Sequence, residues 1–147
     1  MSAVNFFGTY TPKLDDKGRL VVPAKLREAF SRGLVITRGQ ERCLYVFPAA
    51  SFDALLERIR ALPLTSKQAR EFQRVFLAGA HDETPDKQHR VTIPGLLREY
   101  ASLDKELTVI GVGDRVEIWD SQKWQEVLAA SEEHYSDISE EVFPGIF

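Results

Sequence analysis

Aromatic and β-branched residues crowd the stretch from Asn5 to Leu14 (Phe6, Phe7, Tyr10) and predict a first strand. Asp15 to Gly18 then breaks the apolar pattern with residues that tolerate tight turns. Arg19 to Val22 predicts a second strand, and Pro23 opens a short helix over Ala24 to Phe30, where its missing N–H costs nothing. Two more strands follow at Leu34 to Thr37 and Cys43 to Phe47. Ser51 is placed to cap a helix carrying Phe52, Leu55, Leu56, Ile59 and Leu62 at helical spacing. A further helix is predicted over Ser66 to Ala80, with Ala69, Phe72, Phe76 and Gly79 on one face and Val75 beside it.

The same order then returns. Asp82 to Thr84 and Arg90 to Ile93 flank a turn, Leu96 to Tyr100 makes a short helix, and Leu107 to Val112 with Arg115 to Trp119 form a hairpin around Gly113-Asp114. Ser121 is expected to cap a helix bearing Trp124, Val127 and Leu128. The duplication is visible residue by residue. Asp15-Asp16-Lys17-Gly18-Arg19-Leu20-Val21-Val22-Pro23 recurs 71 positions later as Asp86-Lys87-Gln88-His89-Arg90-Val91-Thr92-Ile93-Pro94. Arg27-Glu28 matches Arg98-Glu99, and the pair Phe47 and Phe52 matches Trp119 and Trp124. Two copies of one supersecondary unit are therefore expected, in one pseudo-symmetric α+β domain or two intimately packed halves, with boundaries at 5–62 for the first repeat, 63–80 for the linking helix, 81–130 for the second repeat and 131–147 for a loose acidic tail.

Charge sharpens this layout. Residues 1–70 hold 12 Lys and Arg against 6 Asp and Glu (+6), whereas residues 71–147 hold 7 against 16 (−9), which together give the net −3. Such asymmetry suggests a basic face suited to nucleic acid, although one half could simply be more acidic. The single cysteine, Cys43, excludes an intrachain disulfide and lies in an apolar run, so a small buried thiol in a reducing cytoplasm is expected. No apolar run approaches the ~18 residues of a membrane span, and the N-terminus lacks the pattern of a signal peptide.

Enzymatic patterns are missing. There is no P-loop, no Gly-x-Ser-x-Gly elbow and no His-Glu-x-x-His helix, and Gly111-Val112-Gly113 lacks the third glycine of a dinucleotide fingerprint. His81, His89 and His134 have no ligand-like spacing, so neither a metal nor another cofactor is expected. Asp15, Asp16 and Asp86 each neighbour a cation, which favours ionised carboxylates over a raised-pKa acid. The candidate chemistry is instead the repeated turn. A guanidinium lifted off a rigid hairpin suits phosphate or the O6/N7 edge of guanine. The nearby aspartate could accept turn N–H groups or orient the arginine; an intrachain Arg–Asp pair of purely structural meaning is the plain alternative.

These residues resemble a known family. Tyr10 to Phe30 looks like the first repeat of MraZ, a bacterial member of the AbrB-like group. Arg70 to Ala80 is similar to its linking helix, and Asp86 to Pro94 with Val116-Glu117-Ile118-Trp119-Asp120 to its second repeat. The resemblance implies tandem AbrB-like repeats in a swapped-hairpin β-barrel with flanking helices. It also implies ring-like homo-oligomers that repress the division and cell-wall operon by reading short direct repeats of double-stranded DNA in their own promoter. The site residues it implies are Lys17, Arg19 and Arg90 for DNA contact, with Asp15, Gly18 and Asp86 shaping the loops; Lys13 and Lys87 are candidate contacts from their place beside the turns, and His89 is a candidate loop-shaping residue. A cytoplasmic, nucleoid-associated protein with no membrane partner and no small-molecule substrate is expected. His89 stands where the pattern has glycine; a non-glycine at positive φ is uncommon, though histidine is among the better-tolerated types, so a different second turn and a copy of the first both stay open. The alternative, from another class, is an antitoxin-like interaction module whose acidic segment Glu132 to Glu141, followed by Val142-Phe143-Pro144-Gly145-Ile146-Phe147, docks a partner. Antitoxins of that kind carry one barrel-half per chain, which weighs against it.

Overall fold

The computed structural model describes residues 4–147. In chain order it runs β1 (Thr9–Tyr10), β2 (Arg19–Val21), a 3-10 turn Ala24–Leu26 leading into α1 (Arg27–Phe30), β3 (Leu34–Arg38), β4 (Leu44–Pro48), α2 (Ala49–Arg60) and α3 (Lys67–Ala78). It continues with β5 (His81–Glu83), β6 (Arg90–Thr92), α4 (Gly95–Tyr100), β7 (Leu107–Gly111), β8 (Val116–Asp120), α5 (Ser121–Glu132) and α6 (Tyr135–Val142). The first strand is much shorter than the run from Asn5 to Leu14 suggested. Around β1 the chain meets the sheet only at isolated bridges, Phe6 with Gly113 and Lys13 with Glu106. Gly111 permits this approach, because a Cβ there would collide with the Phe6–Phe7 backbone.

Six strands form an antiparallel sheet in the order β1-β7-β8-β4-β3-β5, and β2 pairs with β6 in a separate ribbon. The order reads identically from either end once each strand is exchanged for its repeat counterpart. Strand β1 of the first repeat pairs with β7 of the second, Tyr10 opposite Val109, and β5 of the second pairs with β3 of the first, His81 opposite Ile36. Each repeat thus lends its first strand to the other. The pseudo-two-fold axis passes between matched residues: Leu20 faces Val91 in the ribbon and Tyr45 faces Glu117 in the sheet.

Alternation sets the layers, since successive strand residues point to opposite faces. Leu34 and Ile36 of β3, Leu44 and Val46 of β4, Leu107 and Val109 of β7, and Val116 and Ile118 of β8 face the ribbon's Leu20, Val22, Val91 and Ile93 across one core. Ribbon and sheet therefore enclose a common interior as two hydrogen-bonded units. On the other face, Val35 and Phe47 pack with Phe52 and Ile59 of α2 and Phe76 of α3. Cys43 is buried, as its apolar run foretold. Thr37, at the back of β3, is also buried and donates its hydroxyl to the Phe76 carbonyl at 2.6 Å, tying α3 to the sheet.

Three local expectations change. Neither Ser51 nor Ser121 caps its helix: α2 starts after Pro48, and Asp120 caps α5 by accepting from the Lys123 N–H. Pro48 has the fixed φ and missing N–H that suit a helix start. Ser66 caps α3 from outside it, accepting from Ala69 N, and of that helix's apolar face Phe76 is buried while Phe72 and Val75 are exposed. The acidic C-terminal stretch, expected to be loose, carries the helix α6, none of whose residues is buried.

Candidate nucleic-acid interface

The first turn is closed on its backbone by Asp15 N–H donating to the Arg19 carbonyl at 2.8 Å and Gly18 N–H donating to Asp15 at 3.1 Å. The Asp15 carboxylate then takes three donors. Oδ1 accepts from the Lys17 and Arg19 N–H groups, and Oδ2 accepts from Arg19 Nε, each at 2.9 Å. Hydrogen bonds to the charged form favour it. The Arg19 N–H is the main reason the carboxyl titrates below its ordinary value of 3.8; modest desolvation opposes it, while the guanidinium and the Lys17 N–H reinforce it. Gly18 turns the chain at φ 77°, and a Cβ would fall 2.8 Å from Cζ of Arg98.

The second turn repeats this geometry, which decides between the two turns the sequence left open. Asp86 Oδ1 accepts from the N–H groups of Gln88 and Arg90, and Oδ2 from Arg90 Nε, each again at 2.9 Å. His89 adopts the left-handed conformation at φ 63°, next to the 77° of Gly18. The Arg90 N–H likewise leads in lowering the Asp86 pKa below 3.8, against a small desolvation. The carboxylate's grip on both ends of the turn holds a histidine where glycine is the easier residue.

Both turns belong to the ribbon. Arg19 faces Thr92 and Val21 faces Arg90, so the exposed side carries Arg19, Val21, Arg90 and Thr92 while Leu20 and Val91 point into the core. The two arginines are diagonal neighbours, roughly 7–8 Å apart across the ribbon. Their Nε atoms are committed to the aspartates; the Nη atoms make no hydrogen bond among the described residues. Thus the structural Arg–Asp pair and the presented guanidinium are one arrangement: the pair aims the fork. The exposed turn cations Lys17 and Lys87 flank it, with no ion-pair partner among the described residues. Lys13 stands apart, on the extension of β1, where it lies 3.6 Å from Glu106.

Sequence reasoning matched Arg27 to Arg98 without giving them a role. Arg27 Nε donates to the Val22 carbonyl at 2.8 Å and Arg98 Nε to the Ile93 carbonyl at 2.9 Å, pinning each strand-to-helix corner from within. It also missed Val21 and Thr92, whose place on the exposed face follows from alternation once Arg19 is put there. The acidic C-terminal region lies elsewhere: α5 packs on the opposite face of the sheet, with Trp124 5.5 Å from Trp119. Among the described residues no group of His, Cys, Asp and Glu is arranged to hold a metal, and no helix is long and apolar enough to cross a membrane.

Comparison with known proteins agrees with the internal duplication. One family model, described as "MraZ protein, putative antitoxin-like", matches twice in tandem, over residues 5–75 and 76–144. Proteins called transcriptional regulator MraZ are similar along nearly their whole length. The one from Clavibacter michiganensis subsp. michiganensis is 59% identical over 142 residues, covering 97% of this chain and 99% of its own. The one from Micrococcus luteus is 58% identical over the same coverage, and that of Salinispora arenicola is 60% identical over 141 residues, or 96% and 99%. A repeat legible in the sequence, mirrored in the strand order and matched twice by one model leaves a single conclusion: this chain belongs to the MraZ family.

Proposed function

We propose that this protein is a DNA-binding transcriptional regulator, not an enzyme, and that it reads short direct repeats in the promoter of its own gene cluster. The observation that carries the reading is the exposed ribbon face, where Arg19 and Arg90 are each aimed by a three-donor aspartate turn. A two-stranded ribbon fits the major groove, and a diagonal of about 7–8 Å spans about two base steps of ~3.4 Å. Arginine suits the guanine edge and the backbone alike. On this reading, residues 5–62 and 81–130 are the two reading units, joined by 63–80. Arg19, Arg90, Lys17 and Lys87 contact DNA; Asp15, Gly18, Asp86 and His89 shape the turns; Lys13 adds charge from the sheet edge.

One ribbon with so few cations binds duplex weakly, since affinity grows with the number of phosphates neutralised. A closed ring of subunits would present several ribbons at once and raise the effective concentration of each further contact. Successive subunits would then match direct repeats, whereas a lone two-fold dimer prefers inverted half-sites. Such a protein would sit on the nucleoid in the cytoplasm. The test is fluorescence anisotropy with duplex from upstream of the gene against a scrambled duplex, over a salt series, with mass from light scattering. Selective binding that weakens linearly in log salt and is lost in Arg19→Ala is expected. Equal, weak binding to both duplexes that ignores the mutation would refute the reading.

A further inference from the structure

The two repeats end differently. In the first, α3 follows α2, and Phe76 near its end is buried against Phe52 with ring centroids 6.2 Å apart. In the second, α6 follows α5, and Val142 and Phe143 at its end are left in solvent. Val142 is 76% exposed, Phe143 59% and Phe147 97%, and Pro144 with Gly145 at φ 74° ends the helix so that the segment leaves as an irregular peptide. Residues 132–141 just before it hold five carboxylates and no lysine or arginine. A contiguous apolar segment this open on a protein surface marks an interaction site.

Its complement lies on the outer face of the sheet, under α2 and α3. Between α2, α3 and the outer face of the sheet there is a groove of about 690 Å³. Tyr45 lines its floor, and its wall is formed by Phe72 and Val75, which are 47% and 55% exposed. Arg38, Arg58 and Arg115 rim it; the one acid on the lining, Asp114, is already paired with Arg115 at 3.2 Å. Arg115 is also paired with Glu117 at 3.1 Å and Arg38 donates to the Val75 carbonyl at 2.8 Å, so the rim cation left without an ion pair or hydrogen bond among the described residues is Arg58. The groove is apolar below and cationic at the rim, and the segment is apolar at its end and acidic behind.

We propose that Val142–Phe147 of one copy docks into this groove on a second copy, with Glu140 and Glu141 against its arginine rim. The proposal rests on the ring reading above and supplies its interface. Donor and acceptor are different surfaces of one chain, so the contact is heterologous, propagates head to tail and closes into a ring where the rotation allows.

The test pairs two full-length variants, Phe143→Asp/Phe147→Asp in the segment and Val75→Asp/Arg58→Glu in the groove, with Arg58→Glu alone as a gentler groove change at an exposed side chain. Light scattering across a concentration series gives the mass, and circular dichroism melts check folding. Wild type is expected to assemble, and each double variant to fall to monomer, at least a tenfold loss in association. An equimolar mixture of the two retains one donor and one acceptor, and should form a heterodimer and nothing larger. Rings that persist in both double variants, loss in the segment variant alone, or a mixture that stays monomeric would each overturn the docking while leaving the ring reading intact. A monomeric wild type would overturn the ring reading itself.

Discussion

Asp15→Asn separates two ways in which the turn could act on DNA, because they give opposite signs. Asparagine keeps an Oδ1 that can still accept from the Lys17 and Arg19 N–H groups at the 2.9 Å seen here, so the turn survives. At the other position Nδ2 replaces Oδ2 and meets Arg19 Nε donor to donor, so the guanidinium is no longer held. If Arg19 contributed charge alone, deleting a negative charge beside it would tighten binding to any duplex and steepen the salt slope by about 0.9. If its aim matters, a freed Arg19 must be immobilised on binding at about 0.5–1.5 kcal/mol, a loss of roughly 2- to 12-fold per turn. The charge gain applies equally to promoter and scrambled duplex and cancels in their ratio. Anisotropy titrations at matched salt should therefore show the promoter-to-scrambled ratio falling by that factor in Asp15→Asn. Adding Asp86→Asn should deepen the fall to roughly 5- to 150-fold, since the second turn makes the same three contacts. A ratio that stays put or rises in both variants would refute the claim that the carboxylates aim the arginines.

The remaining predictions concern the ribbon, its glycine position, its carboxylates and the packing behind the sheet. Arg19→Ala and Arg90→Ala should each cost about 1–3 kcal/mol of sequence discrimination and reduce the salt slope by about 1. Melting should be little changed in both, because exposed ion pairs contribute about 0–1 kcal/mol. Gly18→Val should lower the melting temperature, since it combines a β-branched residue at φ 77° with a contact to Arg98, whereas His89→Gly should raise stability by about 0.5–1 kcal/mol by relieving the left-handed histidine. Asp15 and Asp86 have lowered folded-state pKa values, so the turns are fully supported above the ordinary 3.8 and lose that support as pH falls below it; carboxyl NMR midpoints at or above 3.8 would contradict this. Phe76→Ala should destabilise by about 3–5 kcal/mol in denaturant unfolding, because it empties the centre of the cluster with Phe47, Phe52 and Ile59.

Much of this was legible in the chain because period and punctuation agreed. Arg19-Leu20-Val21 alternates out, in and out, Pro23 marks the corner, and the same marks recur 71 residues on. The caps were misread for a physical reason. Serine near a helix start is a good cap in isolation, but at α2 Gly33 already receives the Ala49 N–H at 3.1 Å, and at α5 Ser121 is spent on Thr108 at 2.8 Å. Backbone preference alone leaves the His89 turn open; the Asp86 carboxylate closes it from both sides and outweighs a strain of about 1–2 kcal/mol. The tail was legible as an acidic segment with an apolar end, but the groove was not. Phe72 and Phe76 belong to one apolar stripe in sequence, and only the tertiary packing of α3 leaves one buried and the other open.

The duplication also explains what a single-repeat chain pairing with itself could not hold. In a homodimer with this strand order, each residue on the two-fold axis faces its own copy. At the sheet centre that would set Tyr45 against tyrosine, or Glu117 against glutamate, and like charges directly opposite are destabilising. Joined in one chain, the two positions diverge. Glu117 is buried and accepts from Trp119 Nε1 at 3.0 Å and Arg115 Nη2 at 3.1 Å, and Arg115 lies over the Tyr45 ring, 4.4 Å from its centroid. The ribbon follows the same rule with less at stake. Its ends keep the Asp–Arg geometry in common but carry Lys17-Gly18 at one end and Gln88-His89 at the other, a difference that a self-paired repeat cannot express. A charged group at the centre of the sheet and unequal turns at the two ends of the ribbon are both consequences of covalent duplication, and both disappear if the repeats are forced to be identical.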